Sequence, residues 1–148
     1  MNAKNMAGHV IRQLHQMSTQ VYASHMQAAG FDLTPVQFAA MDALSAQPGL
    51  DQATIAASIA CDRATTGGVI DRLEQKGLVE RVVNEKDRRA RVVTLTDQGR
   101  DLFEQALPIV AGLQVDILQA LSPDERSDFL RLAKKAVQGA QNGDAPRT

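Results

Sequence analysis

The chain has one cysteine, one tyrosine and no tryptophan in 148 residues, and aromatic side chains make up only 3% of it. The lone Cys61 excludes an internal disulfide and suits a reducing compartment. So few rings argue against a base-stacking surface of the kind that grips single-stranded nucleic acid. Long apolar runs are missing as well. The opening MNAKNMAGHV holds no apolar segment of signal-peptide length, and no stretch approaches the roughly 20 apolar residues that cross a bilayer. A cytoplasmic protein is expected. No glycine-rich phosphate loop, nucleophile elbow or paired metal-ligand motif is found, so neither an enzyme nor a cofactor is expected. His9, His15 and His25 stand six and ten residues apart, which puts no two of them on adjacent turns of one helix face, and no metal site is expected.

What the chain does have is apolar content, 44%, enough for the core of one structural domain. Its net charge is -1, but the charge is unevenly spread. Between Arg81 and Arg91 stand five basic residues (Arg81, Lys86, Arg88, Arg89, Arg91) against two acidic ones, Glu85 and Asp87. A local positive excess of this kind is where a polyanion would bind.

Helical periodicity organises most of the sequence. Val10, Leu14, Met17, Val21 and Ala28 fall on one stripe, predicting a long amphipathic helix from about His9 to Ala29 that Gly30 stops. Thr34 as N-cap and Pro35 at the first helical position open a second helix that runs to the breaker at Gln47, Pro48 and Gly49. Asp51 caps a short helix with Ile55, Ala56 and Ile59 inward. Asp62 caps the next, with only a tight connection around Ala60 and Cys61 between them. Two short helices joined this closely are a helix-turn-helix. In its second helix Ile70 and Leu73 face the core, while Arg63, Thr65, Gly68 and Arg72 lie on another face. Gly77 ends it. The period then changes: LVERVV and ARVVTL are β-branched runs around polar NEKDRR, a hairpin. Thr96 caps a further helix in which Phe103, Ala106, Val110, Leu113, Ile117 and Leu121 recur at roughly heptad spacing, and Pro108 is expected to interrupt and bend it. Ser122 to Glu125, SPDE, is a capping box for a last helix ending near Gln138.

The fold class expected is mainly α with a small β-hairpin. Residues 1–33 would be an N-terminal dimerisation helix, 34–96 the DNA-binding region, 97–138 C-terminal dimerisation helices and 139–148 a disordered tail, all within one structural domain. The apolar stripes of the terminal helices have nothing in the central region large enough to cover them, so a second copy of the chain is the expected partner.

A helix-turn-helix lays its second helix in the major groove of double-stranded DNA, and a basic hairpin behind it reaches the backbone or minor groove. Arg63, Thr65 and Thr66 carry donors and a methyl suited to base edges or phosphates. Gly67 and Gly68 each cost about 1 kcal/mol against alanine in a helix interior, so either a close approach of helix to DNA or packing on the preceding helix must account for them. Asp87 is placed to orient Arg89 as a charge-assisted pair, and Arg88 stands at the hairpin tip.

LTPVQFAAMDAL, LDQATIA, DRATTGGVIDRLEQKGLVER, DRRARVVTLTDQGR and LSPDER together resemble the MarR family of winged-helix transcriptional regulators, over roughly His9 to Val137. The resemblance implies a winged helix-turn-helix with an α-helical dimerisation region built from the N- and C-terminal helices, a recognition helix from Asp62 to Lys76, a wing from Val79 to Leu95 and an obligate homodimer. It assigns Arg88 to the minor groove and Arg89 to a pair with Asp87. The DNA-binding residues expected are thus Arg63, Thr65, Thr66, Gly68, Arg72, Lys86, Arg88, Arg89 and Arg91. Several members of the family carry arginine or another polar side chain where this chain has Gly68, which shifts base reading toward Arg63, Thr65 and Thr66. The family further implies a small-molecule site between the dimerisation helices and the DNA-binding lobe. Arg12, His15, Tyr22, Phe31 and Phe38 are the ligand-binding residues expected, for an aromatic carboxylate or phenol, because IRQLHQ and FDLTPVQFAAMDAL are similar to members controlling aromatic-compound degradation. The function implied is a ligand-responsive regulator, a repressor released from a pseudo-palindromic operator. Two other readings compete: a redox-responsive regulator acting through Cys61, and a winged-helix module that binds only protein.

Overall fold

Helix α1 (Ala7–Ala28) follows a 3-10 turn at Ala3–Asn5 in the computed structural model, which describes residues 2–87 and 91–141. Its buried side chains are Tyr22 and Met26, in the C-terminal half. The expected stripe is only partly used: Val10 and Met17 are exposed, while Leu14 and Val21 are half-buried. Val10, Ile11 and Met17, in the N-terminal half of α1, are exposed, as a helix that closes a dimer would leave them.

Helix α2 (Pro35–Ala46) begins with a reciprocal cap. The Gln37 N–H donates to Thr34 Oγ1 and the Thr34 N–H donates to Gln37 Oε1, both at 3.1 Å. Two of the orphan donors at the helix start are thereby satisfied. Helix α3 (Gln52–Ser58) starts where the Thr54 N–H donates to the Asp51 carboxylate at 2.7 Å. Helix α4 (Arg63–Gln75) starts in the same way on Asp62. Between α3 and α4 the chain turns at Ala60, whose φ of 56° lies in the left-handed region that glycine would occupy at less cost. The Cys61 N–H donates to the Ala56 carbonyl at 3.1 Å and closes that turn.

Gly77, with φ of 75°, ends α4, and the Leu78 N–H reaches back to the Leu73 carbonyl at 2.9 Å. This glycine-terminated stop satisfies carbonyls that the helix itself leaves open. Strands β1 (Val79–Val83) and β2 (Arg91–Leu95) pair antiparallel, in a register running from Val79 opposite Leu95 to Val83 opposite Arg91. Leu50 adds a bridge on the other edge of β2, its carbonyl accepting from the Val93 N–H at 2.7 Å. Strand β2 is therefore held on both edges.

Helix α5 (Asp97–Ile117) buries Phe103, Ala106, Val110 and Leu113, as the heptad-like spacing predicts. Leu121 falls beyond its end. The expected interruption at Pro108 does not occur, and the helix continues through the proline to Ile117. Pro108 and Glu104 are both exposed, so the Glu104 carbonyl that loses its intrahelical donor sits on the water-facing side.

Residues 1–113 form one compact unit and 114–148 a second. Tyr22, Met26, Met41, Leu44, Ile55, Ile70, Leu73, Val93, Phe103 and Leu113 are among the core residues of the first. In the second, helix α6 (Pro123–Gln141) opens on the predicted capping box, with the Ser122 N–H donating to Glu125 Oε1 at 2.9 Å and the Glu125 N–H to Ser122 Oγ at 3.2 Å. The backbone and side-chain hydrogen bonds from Ser122 hold the Glu125 carboxyl below the usual carboxylate range. Leu130, Leu132 and Val137 of α6 are exposed. The helix continues past the expected end near Gln138 to Gln141, and the rest of the expected disordered tail lies outside the described residues. Among the described residues no helix is long and apolar enough to cross a membrane.

Gly99, in the first turn of α5, is buried against the backbone carbonyl of Leu78, where a Cβ would overlap that oxygen. Gly99→Ala is expected to lower stability by about 1–3 kcal/mol, the range for overpacking a well-filled site. Urea denaturation checks this, and a loss within about 0.5 kcal/mol would mean that the crossing relaxes freely.

Candidate functional site

Thr65, Gly68 and Arg72 are exposed on one face of α4, and Arg63 is exposed at the first position of the helix, so three of the expected DNA-facing residues share one surface and the fourth stands at its tip. The helix is fastened at its start. The Thr65 N–H donates to Asp62 Oδ1 at 2.7 Å and the Thr65 hydroxyl donates to Asp62 Oδ2 at 3.0 Å. These backbone and side-chain hydrogen bonds hold the Asp62 carboxyl below the usual carboxylate range. With its proton engaged, the Thr65 hydroxyl has its lone pairs left for a partner, beside its methyl group.

Thr66 departs from expectation. Its side chain is fully buried and its hydroxyl donates to the Asp62 carbonyl at 2.8 Å, so it faces the interior beside Ile70 and cannot read a base from there. Helical period explains the difference, since Thr66 lies four residues before core Ile70 and Thr65 lies three before exposed Gly68. The two glycines also divide. A Cβ on Gly67 would stand 3.1 Å from Gln52 Nε2 on α3, a packing role, whereas a Cβ on Gly68 would meet nothing within 4 Å. Gln52 spans the helix-turn-helix, its Nε2 donating to the Arg63 carbonyl at 3.4 Å. Only Gly68 leaves a gap toward solvent.

In the wing, Lys86 and Arg91 are exposed, and the Lys86 N–H donates to Asn84 Oδ1 at 2.9 Å in the turn after β1. Arg88 and Arg89, with the expected Asp87–Arg89 pair, lie outside the described residues. Arg81 contributes little to the positive excess, because its guanidinium bonds Asp71 at 2.7 Å and Glu74 at 3.0 Å on α4. Those pairs tie the first wing strand to the recognition helix.

Two open clefts flank the loop after α1. One, of about 500 Å³, is lined by α1 from Thr19 through Tyr22, Ala23, Met26 and Gln27, and by the segment from Gly30 to Pro35. Of the expected ligand residues it contains Tyr22 and Phe31. Arg12 and His15 are exposed and not part of its wall. They share the α1 face with Thr19 but stand one to two turns before it, about 6–10 Å along the axis. Phe38 is not in the wall either, because its ring stacks on Phe103, with centroids 5.2 Å apart and planes at 27°. The second cleft, of about 470 Å³, lies between that loop and the recognition helix, lined by Asp32, Thr34, Gln37, Thr65, Gly68, Val69, Arg72 and Lys76. Asp32 and Thr34 belong to both. Thr19, Ala23 and Met26 were accessible to helix arithmetic from Tyr22, at i−3, i+1 and i+4, whereas the opposition of Asp32 and Lys76 had no local signal. Among the described residues no group of three His, Cys, Asp or Glu could hold a metal ion, and Cys61 is half-buried in its turn.

Tyr22 is buried, and its hydroxyl donates to the Thr34 carbonyl at 3.1 Å. Burial pushes its phenol from 10.0 up to about 12. As this is the chain's one tyrosine and tryptophan is absent, ultraviolet titration of tyrosinate reads this group alone. The folded protein is expected to ionise near pH 12 and the urea-unfolded chain near pH 10. Since the folded state keeps the proton longer, stability holds below about pH 10 and declines as pH rises toward 12. A midpoint near 10 in the folded protein would contradict this placement.

The MarR family model matches residues 33–90, which span α2, the helix-turn-helix and most of the wing. The transcriptional regulator HosA of Escherichia coli O157:H7 is 33% identical over 137 residues, 93% of this chain and 98% of that protein. The transcriptional repressor NicR of Pseudomonas putida is 30% identical, covering 91% of this chain and 84% of its own. Among solved structures, BpsR of Bordetella bronchiseptica, whose DNA binding is regulated by 6-hydroxynicotinic acid, superposes with a TM-score of 0.86 at 28% identity, over 93% of this chain and 96% of that one. With the capped helix-turn-helix, the hairpin behind it and relatives aligned over nearly their whole length, this chain belongs to the MarR family of transcriptional regulators.

Proposed function

We propose that this protein is a cytoplasmic, homodimeric repressor that holds a pseudo-palindromic operator and is released from it by a small aromatic carboxylate or phenol. The observation that carries the reading is the exposed α4 face of Thr65, Gly68 and Arg72, with Arg63 exposed at the helix start and the wing residues Lys86 and Arg91 exposed after it in the chain. Arg88 and Arg89 of the wing complete the basic set. Gly68 lets the helix backbone come close to base edges, and the arginines supply phosphate and guanine contacts. Dimer two-fold symmetry sets half-sites about one helical turn apart. Exposed Val10, Ile11 and Met17 on α1, and Leu130, Leu132 and Val137 on α6, support the dimer.

The cleft beside Tyr22 is the proposed effector site. Tyr22, Met26, Phe31 and Leu33 give it an apolar wall for a ring. His15 and Arg12, exposed on the same α1 face one and two turns away, are the candidates among the expected residues for a carboxylate. The ligand chemistry of BpsR and the repressor role of NicR favour the same choice.

Fluorescence anisotropy with DNA from upstream of the protein's own gene, at two salt concentrations, tests the reading. Affinity is expected to fall steeply with salt, and 6-hydroxynicotinate or a hydroxybenzoate to raise Kd at least tenfold. Weak, salt-insensitive association would favour a protein-interaction module. Tight binding that no aromatic acid alters would remove the ligand class. Arg88→Ala is expected to weaken binding across sequences and lower the salt slope by about one, whereas Thr65→Ala shifts sequence preference. An Arg88→Ala protein with wild-type affinity would take the wing out of the complex. Gly68→Ala separates fold from binding: it is expected to raise helix stability by up to about 1 kcal/mol in denaturation while lowering DNA affinity. Unchanged affinity would show that no close approach occurs there.

A further inference from the structure

Lys76 caps the C-terminal end of the recognition helix, yet its side chain does not point to the wing. Its ammonium donates to the backbone carbonyl of Asp32 at 2.6 Å, stands 3.4 Å from the Asp32 carboxylate, and donates to Gln37 Oε1 at 3.3 Å. That Gln37 oxygen is the same atom that accepts the Thr34 N–H at 3.1 Å. The Thr34 carbonyl in turn accepts from the Tyr22 hydroxyl at 3.1 Å, inside the first cleft. Gln37 is buried and the Lys76 side chain is 29% exposed, whereas the Asp32 carboxylate is fully exposed, so water and salt screen the ion pair and the sheltered part of the junction is the Lys76–Gln37 contact. A continuous set of polar contacts thus runs from the cleft wall, through the cap of α2 and the loop after α1, to the end of α4. Thr34, Gln37 and Lys76 each hold more than one partner, so a shift at any of these three disturbs the next.

We infer that Lys76, acting through Asp32 and Gln37, is the positioning residue that ties the orientation of the recognition helix to occupation of the cleft beside Tyr22. The inference rests on the effector reading of that cleft. A ring seated against Phe31 and Leu33, or a ligand oxygen that takes the Tyr22 hydroxyl from the Thr34 carbonyl, displaces residues 31–34. The Asp32 carbonyl and Gln37 Oε1 then no longer meet the ammonium where it stands, and the end of α4 either follows or is released. Differential contact of this kind is what allows a ligand to move a two-state equilibrium. The coupling is reciprocal, so DNA held by α4 must also steady the loop.

The test is Lys76→Met, which keeps length and apolar stem but removes the charge and all donors, with Lys76→Arg as the conservative variant. Kd for the upstream duplex is measured with and without saturating 6-hydroxynicotinate, and binding of that probe to the free protein is measured by calorimetry. In Lys76→Met the probe should still bind, but the tenfold or greater rise in Kd should shrink to within about twofold, and Lys76→Arg should restore part of it. A full response in Lys76→Met overturns the inference. So does a fall of about one in the salt slope with the probe response intact, because that marks a plain phosphate contact. If the probe does not bind wild type, the effector reading fails for that compound and amide exchange decides the latch. The Thr34 amide should exchange at least several-fold more slowly when DNA is bound to wild type, and this protection should be lost in Lys76→Met. Equal protection in both proteins overturns the latch whatever the ligand.

Discussion

The backbone of Gly99 lies against the Leu78 carbonyl with no room for a side chain, and the placement of the DNA-facing elements hangs on this crossing. Thr96 fastens it. Its hydroxyl donates to the Gly77 carbonyl at 2.7 Å and accepts from the Gly99 N–H at 3.0 Å, and its own N–H donates to the Leu78 carbonyl at 3.1 Å. Four chain segments therefore meet within a few residues: the stop of α4, the first residues of β1, the end of β2 and the first turn of α5. The tilt of the recognition helix and the direction of the wing are set together, as one rigid corner. Arg81 adds to the same corner from farther along β1 by pairing with Asp71 and Glu74.

Features that depend on a few neighbouring residues were legible in the sequence. Thr34, Asp51, Asp62 and Ser122 all cap the helices they were expected to cap, because a cap needs only a side-chain oxygen and an N–H two or three residues on. The stop at Gly77 and the β-branched strands belong to the same class. Features that depend on which surface meets which were not legible. Thr66 is the exception, because its place four residues before core Ile70 turns it inward by periodicity alone, although its hydroxyl reads as a DNA contact. Phe38 reads as a ring near a pocket until Phe103, far along the chain, is seen to stack on it. Pro108 reads as a break, but a proline on the wet side of a long helix strands only a carbonyl that water can satisfy.

The candidate ligand residues divide for the same reason. Tyr22 and Phe31 face each other across a tight helix-loop junction, so proximity in sequence was enough. Arg12 and His15 share the helix face but not the cleft, because a face extends the full length of α1 while a cavity occupies one end of it. The Lys76 junction was invisible for the opposite cause. Its partners lie some forty residues back along the chain, and a lone lysine at a helix end ordinarily reads as a favourable charge on the macrodipole.

Asp62 bears on motion as well as on structure. A helix N-terminus ordinarily attracts phosphate, but here a carboxylate kept ionised by Thr65 sits at that tip and offsets the partial positive charge. In the proposed complex, attraction to the DNA backbone is then left to the basic side chains of α4 and the wing. Hold on arbitrary duplex would rest on those phosphate contacts alone, whereas a sequence that adds base contacts would keep the protein longer, so discrimination between sites would be expressed as a difference in dwell time.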